Sequence, residues 1–155
     1  MRSRLPPWFK KKIPNALIMN RMKGLLGDLC LHTICESAIC PNMGDCFSKG
    51  TATFLILGDI CTRNCTFCAV QKGIPKPLDA LEPERVAEAV VALELRHAVI
   101  TSVTRDDLPD GGADHFAKTI HILKDRSPAV TVEVLVPDFR GSSEALRLVA
   151  AARPD

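Results

Sequence analysis

The chain has 155 residues, 46% of them hydrophobic and 25% charged, with a formal net charge of +2. This is an ordinary composition for about one globular domain, and the charge is too small to imply a nucleic-acid partner. No run nears the roughly 18 apolar residues that cross a bilayer, and Pro6, Pro7 and the Lys10–Lys12 run interrupt any secretory signal.

The charge is unevenly spread. Residues 1–27 carry Arg2, Arg4, Lys10, Lys11, Lys12, Arg21 and Lys23 and no acid, which leaves 13 basic against 18 acidic groups in the rest. A basic, acid-poor start is shared with mitochondrial transit peptides, but Pro6, Pro7 and Pro14 oppose the amphipathic helix those peptides form. A solvated basic arm on a cytoplasmic protein is the expectation. Trp8-Phe9 then packs the arm on the domain rather than binding nucleic acid or a membrane. Seven cysteines without an export signal point to a reducing compartment. There, clustered cysteines are metal ligands or catalytic groups more often than disulfides.

Residues 1–15 read as an extended arm. Residues 16–29 have helical apolar spacing through Leu17, Met19, Met22, Leu25, Leu26 and Leu29. Residues 31–50, with Pro41, Gly44 and Gly50, read as a loop. Thr51–Leu57 is a short β-branched, apolar run that predicts a buried strand, ended by Gly58-Asp59. Gly73, Pro75 and Pro77 mark another loop. A helix is predicted from about Pro83 to Arg96, a strand over Ala98–Ser102, a polar loop over Thr104–Gly112 and a helix over 113–125. A third strand over Ala129–Val136 and a helix over Ser142–Ala152, capped by Ser142 or Ser143, complete the series.

Strand followed by helix, three times, predicts an α/β fold with a parallel sheet and right-handed crossovers. The loops at 58–77 and 103–113 follow the carboxyl ends of strands, where such sheets carry their active sites. Three strands cannot close a barrel, so the chain is expected to be the N-terminal part of a larger architecture. Residues 1–50 form the arm, helix and first cysteine loop, and residues 51–155 the three βα units.

The most informative residues are six cysteines in two triplets. Cys35, Cys40 and Cys46 read C-x4-C-x5-C, and Cys61, Cys65 and Cys68 read C-x3-C-x2-C. Three thiolates suit a cubic iron–sulfur cluster with one iron left open for another ligand. Zinc competes, but structural zinc takes four closed ligands, and the next histidine after Cys68 is His97. A redox pair Cys65/Cys68 also competes and is weakened by Cys61. Cys30 stands outside both triplets and reads as a buried or chance thiol, and His32 as a packing or loop residue beside the first triplet.

C-x3-C-x2-C with Phe67 before the last cysteine resembles the radical S-adenosylmethionine (SAM) superfamily. The first triplet, together with residues 5–14 (LPPWFKKKIP), 50–70, 100–116 and 132–141, resembles the lipoyl synthase family within it. The resemblance implies the N-terminal half of a (β/α)6 partial barrel with an N-terminal helix and cysteine-loop extension. It implies sulfur insertion at C6 and C8 of an octanoyl group carried on a lysine of a lipoyl domain. C–H bonds of that kind have no acidity to exploit, so a cofactor carries the chemistry.

It further implies two [4Fe-4S] clusters, one on Cys61, Cys65 and Cys68 that binds S-adenosyl-L-methionine, and an auxiliary sulfur donor on Cys35, Cys40 and Cys46. Phe67, Ser102, Arg105 and Asp106 are placed to contact S-adenosylmethionine. Glu133 either reaches the same ligand or faces solvent, Arg105, Asp106 and Asp107 otherwise form a solvated salt bridge, and Gly111-Gly112 either admit a close backbone approach or only make a turn. The implied partners are an octanoylated carrier (2-oxoacid dehydrogenase E2 or glycine cleavage H protein) and an electron donor such as a ferredoxin or flavodoxin, with no nucleic acid and no membrane. The family's later strands and C-terminal serine motif do not occur in these residues. A non-catalytic iron–sulfur electron carrier and an inactive fragment stand as the alternatives.

Overall fold

The computed structural model describes residues 16–38 and 40–155. Leu5–Pro14 and the Trp8-Phe9 arm lie outside the described residues. Helix α1 (Ala16–Asp28) leads into a two-residue strand β1 (His32–Thr33) and short helices α2 (Ile34–Ser37) and α3 (Met43–Ser48). Strands β2 (Thr51–Ile56), β5 (His97–Ser102) and β6 (Thr131–Leu135) alternate with helices α4 (Glu82–Ala92), α5 (Ala113–Arg126) and α6 (Ser143–Ala151). Between β2 and α4 a small parallel pair, β3 (Ile60–Cys61) and β4 (Gln71–Lys72), braces the second cysteine loop.

The main sheet runs in the order β1-β2-β5-β6. The pairs β2–β5 and β5–β6 are parallel, with Phe54 opposite Ile100 and Ile100 opposite Val134. β1 is antiparallel to β2, with His32 opposite Leu55. The fold class is therefore α/β with a parallel sheet, as the repeated strand–helix order predicts.

Period-two alternation gives the sheet two unlike faces. Ala52, Phe54, Ile56, Ala98, Ile100 and Val132 are fully sealed and share one core with Val86, Val90, Phe116, Ile120 and Leu123. On the opposite face Thr131, Glu133 and Leu135 stay exposed and Thr101 half-buried. Met22, Leu26, Leu31, Cys35 and Phe47 join the same core, so the N-terminal segment packs on the sheet edge rather than apart from it.

Helix ends follow local chemistry. Pro83 sits in the first turn of α4 beside Glu82 and Glu84, where acids meet the positive end of the helix dipole. Asp110 caps α5 by accepting from Gly112 N (3.0 Å) and Asp114 N (2.8 Å). Ser142 caps α6 by accepting from Ala145 N.

Three expectations are corrected. Residues 31–50 are not a plain loop but contain β1, α2 and α3, pieces too short to carry a periodic signal. β2 stops at Ile56, because Leu57 turns to a φ of 69°. Helix α4 ends at Ala92 rather than near Arg96, as Glu94 adopts a φ of 51° and Leu95 N bonds back to Val90 O.

Candidate functional site

Both cysteine segments attach to β2, at opposite ends of it in sequence. Cys35 lies in α2 and is buried, Cys46 lies in α3, and Cys40 sits in the connection between them. Local backbone bonds shape this segment: Cys40 N donates to Cys35 O (3.0 Å) and Cys46 N to Asn42 O (3.0 Å). Burial pushes the Cys35 thiol up, hydrogen bonds with Thr53 of β2 oppose this, and the neighbouring Cys40 and Cys46 push it up further. Cys35 is thus anchored beside Thr53 of β2, with Cys40 and Cys46 near enough to influence it.

The second triplet follows the carboxyl end of β2. Cys61 ends β3, its carbonyl accepts from Gly73 N (3.1 Å), and Cys68 N donates to Cys65 O (3.3 Å). The Cys61 sulfur accepts from the backbone N–H groups of Arg63 and Thr104, both at 3.4 Å. Thr62 fastens the same place: its N–H and hydroxyl both donate to Thr104 O, and its Oγ1 accepts from Asp106 N. The cysteine loop is thereby seated on the loop that follows β5.

Arg63 extends the seat to the third strand. Its Nε and Nη2 fork onto Asp106 (2.7 and 2.9 Å), and its Nη1 and Nη2 fork onto Asp138 beyond β6 (both 2.8 Å). Hydrogen bonds from Arg63 hold both carboxyls below the ordinary range, Asp138 at about 2. The guanidinium is correspondingly held more firmly protonated. One side chain in the second cysteine loop therefore ties the carboxyl-end loops of all three parallel strands.

The other candidates fall as follows. Phe67 is 91% exposed, beside Cys68. Ser102 ends β5, and its hydroxyl oxygen is buried without a hydrogen-bond partner among the described residues. Arg105 turns inward, 3% exposed, forking onto Asp107 and donating to Leu57 O (3.1 Å). Asp106 is engaged by Arg63, so Arg105 and Asp106 are both held in ion pairs, with the Arg105 side chain buried and its partner Asp107 part-exposed. Glu133 lies on the open face and meets His97 Nε2 at 2.9 Å.

Gly111 and Gly112 have φ of 63° and 92°. A Cβ on Gly112 would overlap the Leu57 side chain, and one on Gly111 would meet Phe139 at 3.0 Å, so the close approach there is by protein. Cys30 is exposed, not buried, and lines with His32, Asp59, Lys76 and Arg85 a cavity of about 210 Å³.

The donor set fits iron–sulfur chemistry. All seven cysteines are free thiols. Among the described residues no group of three His, Cys, Asp or Glu side chains is poised around one metal ion.

Sequence reasoning missed Arg63, Asp138, Glu82 and His115 as parts of the site's frame. Arg63 carried the one available signal, its place between Cys61 and Cys65. Asp138 lies 75 positions away in sequence, a pairing that no local pattern encodes.

Among the described residues no helix is long and apolar enough to cross a membrane. Comparison with known proteins gives the family. A model for the N-terminal domain of lipoyl synthase of the radical SAM family matches residues 1–40. The lipoyl synthase of Caldanaerobacter subterraneus subsp. tengcongensis is 62% identical over the whole chain, which covers 54% of that protein. Those of Oleidesulfovibrio alaskensis and Thiobacillus denitrificans are 59% and 53% identical, over 98% and 99% of this chain and 52% and 50% of theirs. The chain thus spans about half the length of the curated relatives it matches. The radical SAM superfamily model matches residues 55–155, which hold the second cysteine loop and the loops after β5 and β6, and the chain belongs to that superfamily.

Proposed function

We propose that this chain carries the cluster-bearing half of a lipoyl synthase, a radical SAM sulfurtransferase acting on an octanoyl group held on a lipoyl carrier domain. The observation that carries the reading is the loop of Cys61, Cys65 and Cys68. It hangs from the carboxyl end of a parallel strand, and one of its sulfurs is already supplied with two N–H donors. When bound, the groups supply a single electron for cleaving S-adenosylmethionine at one cluster and sulfur atoms at the other.

The chain's own residues do the holding. Cys61, Cys65 and Cys68 grip the first cluster and leave one iron for S-adenosylmethionine, and Cys35, Cys40 and Cys46 grip the auxiliary one. Phe67 offers an open ring beside Cys68. Ser102 brings an unpaired hydroxyl to the end of β5. Glu133 lines the open sheet face. Asp106 and Arg105 act through the loops they fasten.

Residues 1–50 serve the auxiliary cluster and residues 51–155 the reducing one. The carrier is a 2-oxoacid dehydrogenase E2 or glycine cleavage H domain, and the electron donor a ferredoxin or flavodoxin of the cytoplasm.

The test is anaerobic reconstitution with iron and sulfide, followed by reduction in the presence of S-adenosylmethionine. The reading expects bound clusters and release of 5′-deoxyadenosine, abolished by Cys65→Ala. Intact clusters with no such release would instead identify an electron carrier.

A further inference from the structure

Three of the five buried polar or charged side chains among the described residues, Glu82, Arg105 and His115, gather around one peptide segment, at Leu57. Leu57 joins β2 to the second cysteine loop and holds a left-handed φ of 69°, a conformation that costs a non-glycine residue free energy and persists only where surroundings enforce it. Its N–H donates to Glu82 Oε2 at 2.8 Å, and its carbonyl accepts from Arg105 Nη1 at 3.1 Å. The same Glu82 oxygen lies 2.8 Å from His115 Nε2. Arg105 is balanced in turn by Asp107. Its side chain, with those of Glu82 and His115, is at most 7% exposed.

Burying such charges is unfavourable and is often matched or bettered by plain apolar packing, so their presence at one strained residue calls for a reason other than bulk stability. The direction of the chain supplies one. Gly58 follows with a φ of 91°, and the two left-handed residues in succession turn the chain out of the sheet toward Cys61.

We infer that Glu82, oriented by His115, and Arg105 are positioning residues that clamp both backbone groups of Leu57 and so aim the Cys61–Cys68 loop. The proposal rests on reading that loop as the cluster seat. The clamp acts from behind the loop, through α4, α5 and the turn after β5.

The test is amide hydrogen exchange at single-residue resolution on the full chain without metal. In the wild type the Leu57 amide, although outside β2, should exchange as slowly as the amides of Phe54 and Ile56; fast exchange there overturns the clamp. The double variant Glu82→Met/His115→Leu removes the acceptor without leaving an unpaired buried charge. It should speed exchange at Leu57 and across residues 58–73 by about tenfold or more, as expected for losing a bond to a charged acceptor. Exchange in β5 and around Cys35–Cys46 should stay unchanged.

Glu82→Gln keeps an oxygen acceptor and should remain within about threefold of wild type. Unchanged exchange in the double variant, a uniform rise over the whole chain, or a Gln variant as loose as the double variant each overturns the proposal. After anaerobic reconstitution, the reduced double variant should give a broadened or shifted paramagnetic resonance signal relative to wild type. If no chain takes up iron, the cluster reading fails on its own, and the exchange data still decide the clamp.

Discussion

Arg63 uses both edges of its guanidinium, one against Asp106 and one against Asp138. A planar fork makes this double engagement possible, and an ammonium group cannot reproduce it. Arg63→Met is expected to free the loop over residues 58–73 to limited proteolysis, and Arg63→Lys to restore only part of the protection. Equal resistance in all three chains would show that the bridge does not hold the loop.

The pair also sets a pH dependence. A carboxyl depressed in the folded chain contributes stability above its unfolded value and loses it as pH falls through the folded value. Asp138 is held at about 2, so its contribution is complete above about pH 4 and disappears toward pH 2. The difference in urea midpoint between wild type and Asp138→Asn should narrow over that interval; a constant difference would contradict the assignment. Gly112 gives a steric test. Gly112→Ala adds a Cβ into Leu57 at a left-handed φ and should cost about 2–4 kcal/mol in thermal unfolding. Gly27→Ala in α1, with nothing near its Cβ, should be neutral or stabilising by up to about 1 kcal/mol.

At the scale of elements, the three strand–helix units were legible because each has a sustained signal. β2 is a run of β-branched and apolar residues, α4 opens on Pro83, and α6 has a serine before its apolar stripe. The sequence left two caps open for α6, and Ser142 is the one whose oxygen accepts from Ala145 N. Ser142→Ala should lower stability by about 1 kcal/mol and Ser143→Ala by much less. Equal effects would place the cap elsewhere. Illegible were the two-residue strands β1, β3 and β4, which exist through partners and not through any pattern of their own. The end of β2 was misjudged by one residue for a similar reason. Leu57 is apolar and buried like a strand residue, and only the distant Glu82 and Arg105 turn it aside.

For the molecule as a whole, the candidate ligand residues stand out by their spacing, while the frame around them does not. Cysteine triplets are local, so a single stretch of sequence displays them. The frame is made of pairs such as Arg63–Asp138 and Glu82–Leu57, which meet only because parallel strands bring their carboxyl-end loops together.

The central claim is that Cys61, Cys65 and Cys68 hold a four-iron cluster with one iron open to S-adenosylmethionine. It is tested most directly by paramagnetic resonance and iron analysis on the anaerobically reconstituted, reduced variant Cys35→Ala/Cys40→Ala/Cys46→Ala. The account predicts roughly four irons and four sulfides per chain and a signal that changes when S-adenosylmethionine is added. Bound zinc in place of iron, or an iron–sulfur signal indifferent to S-adenosylmethionine, would contradict it.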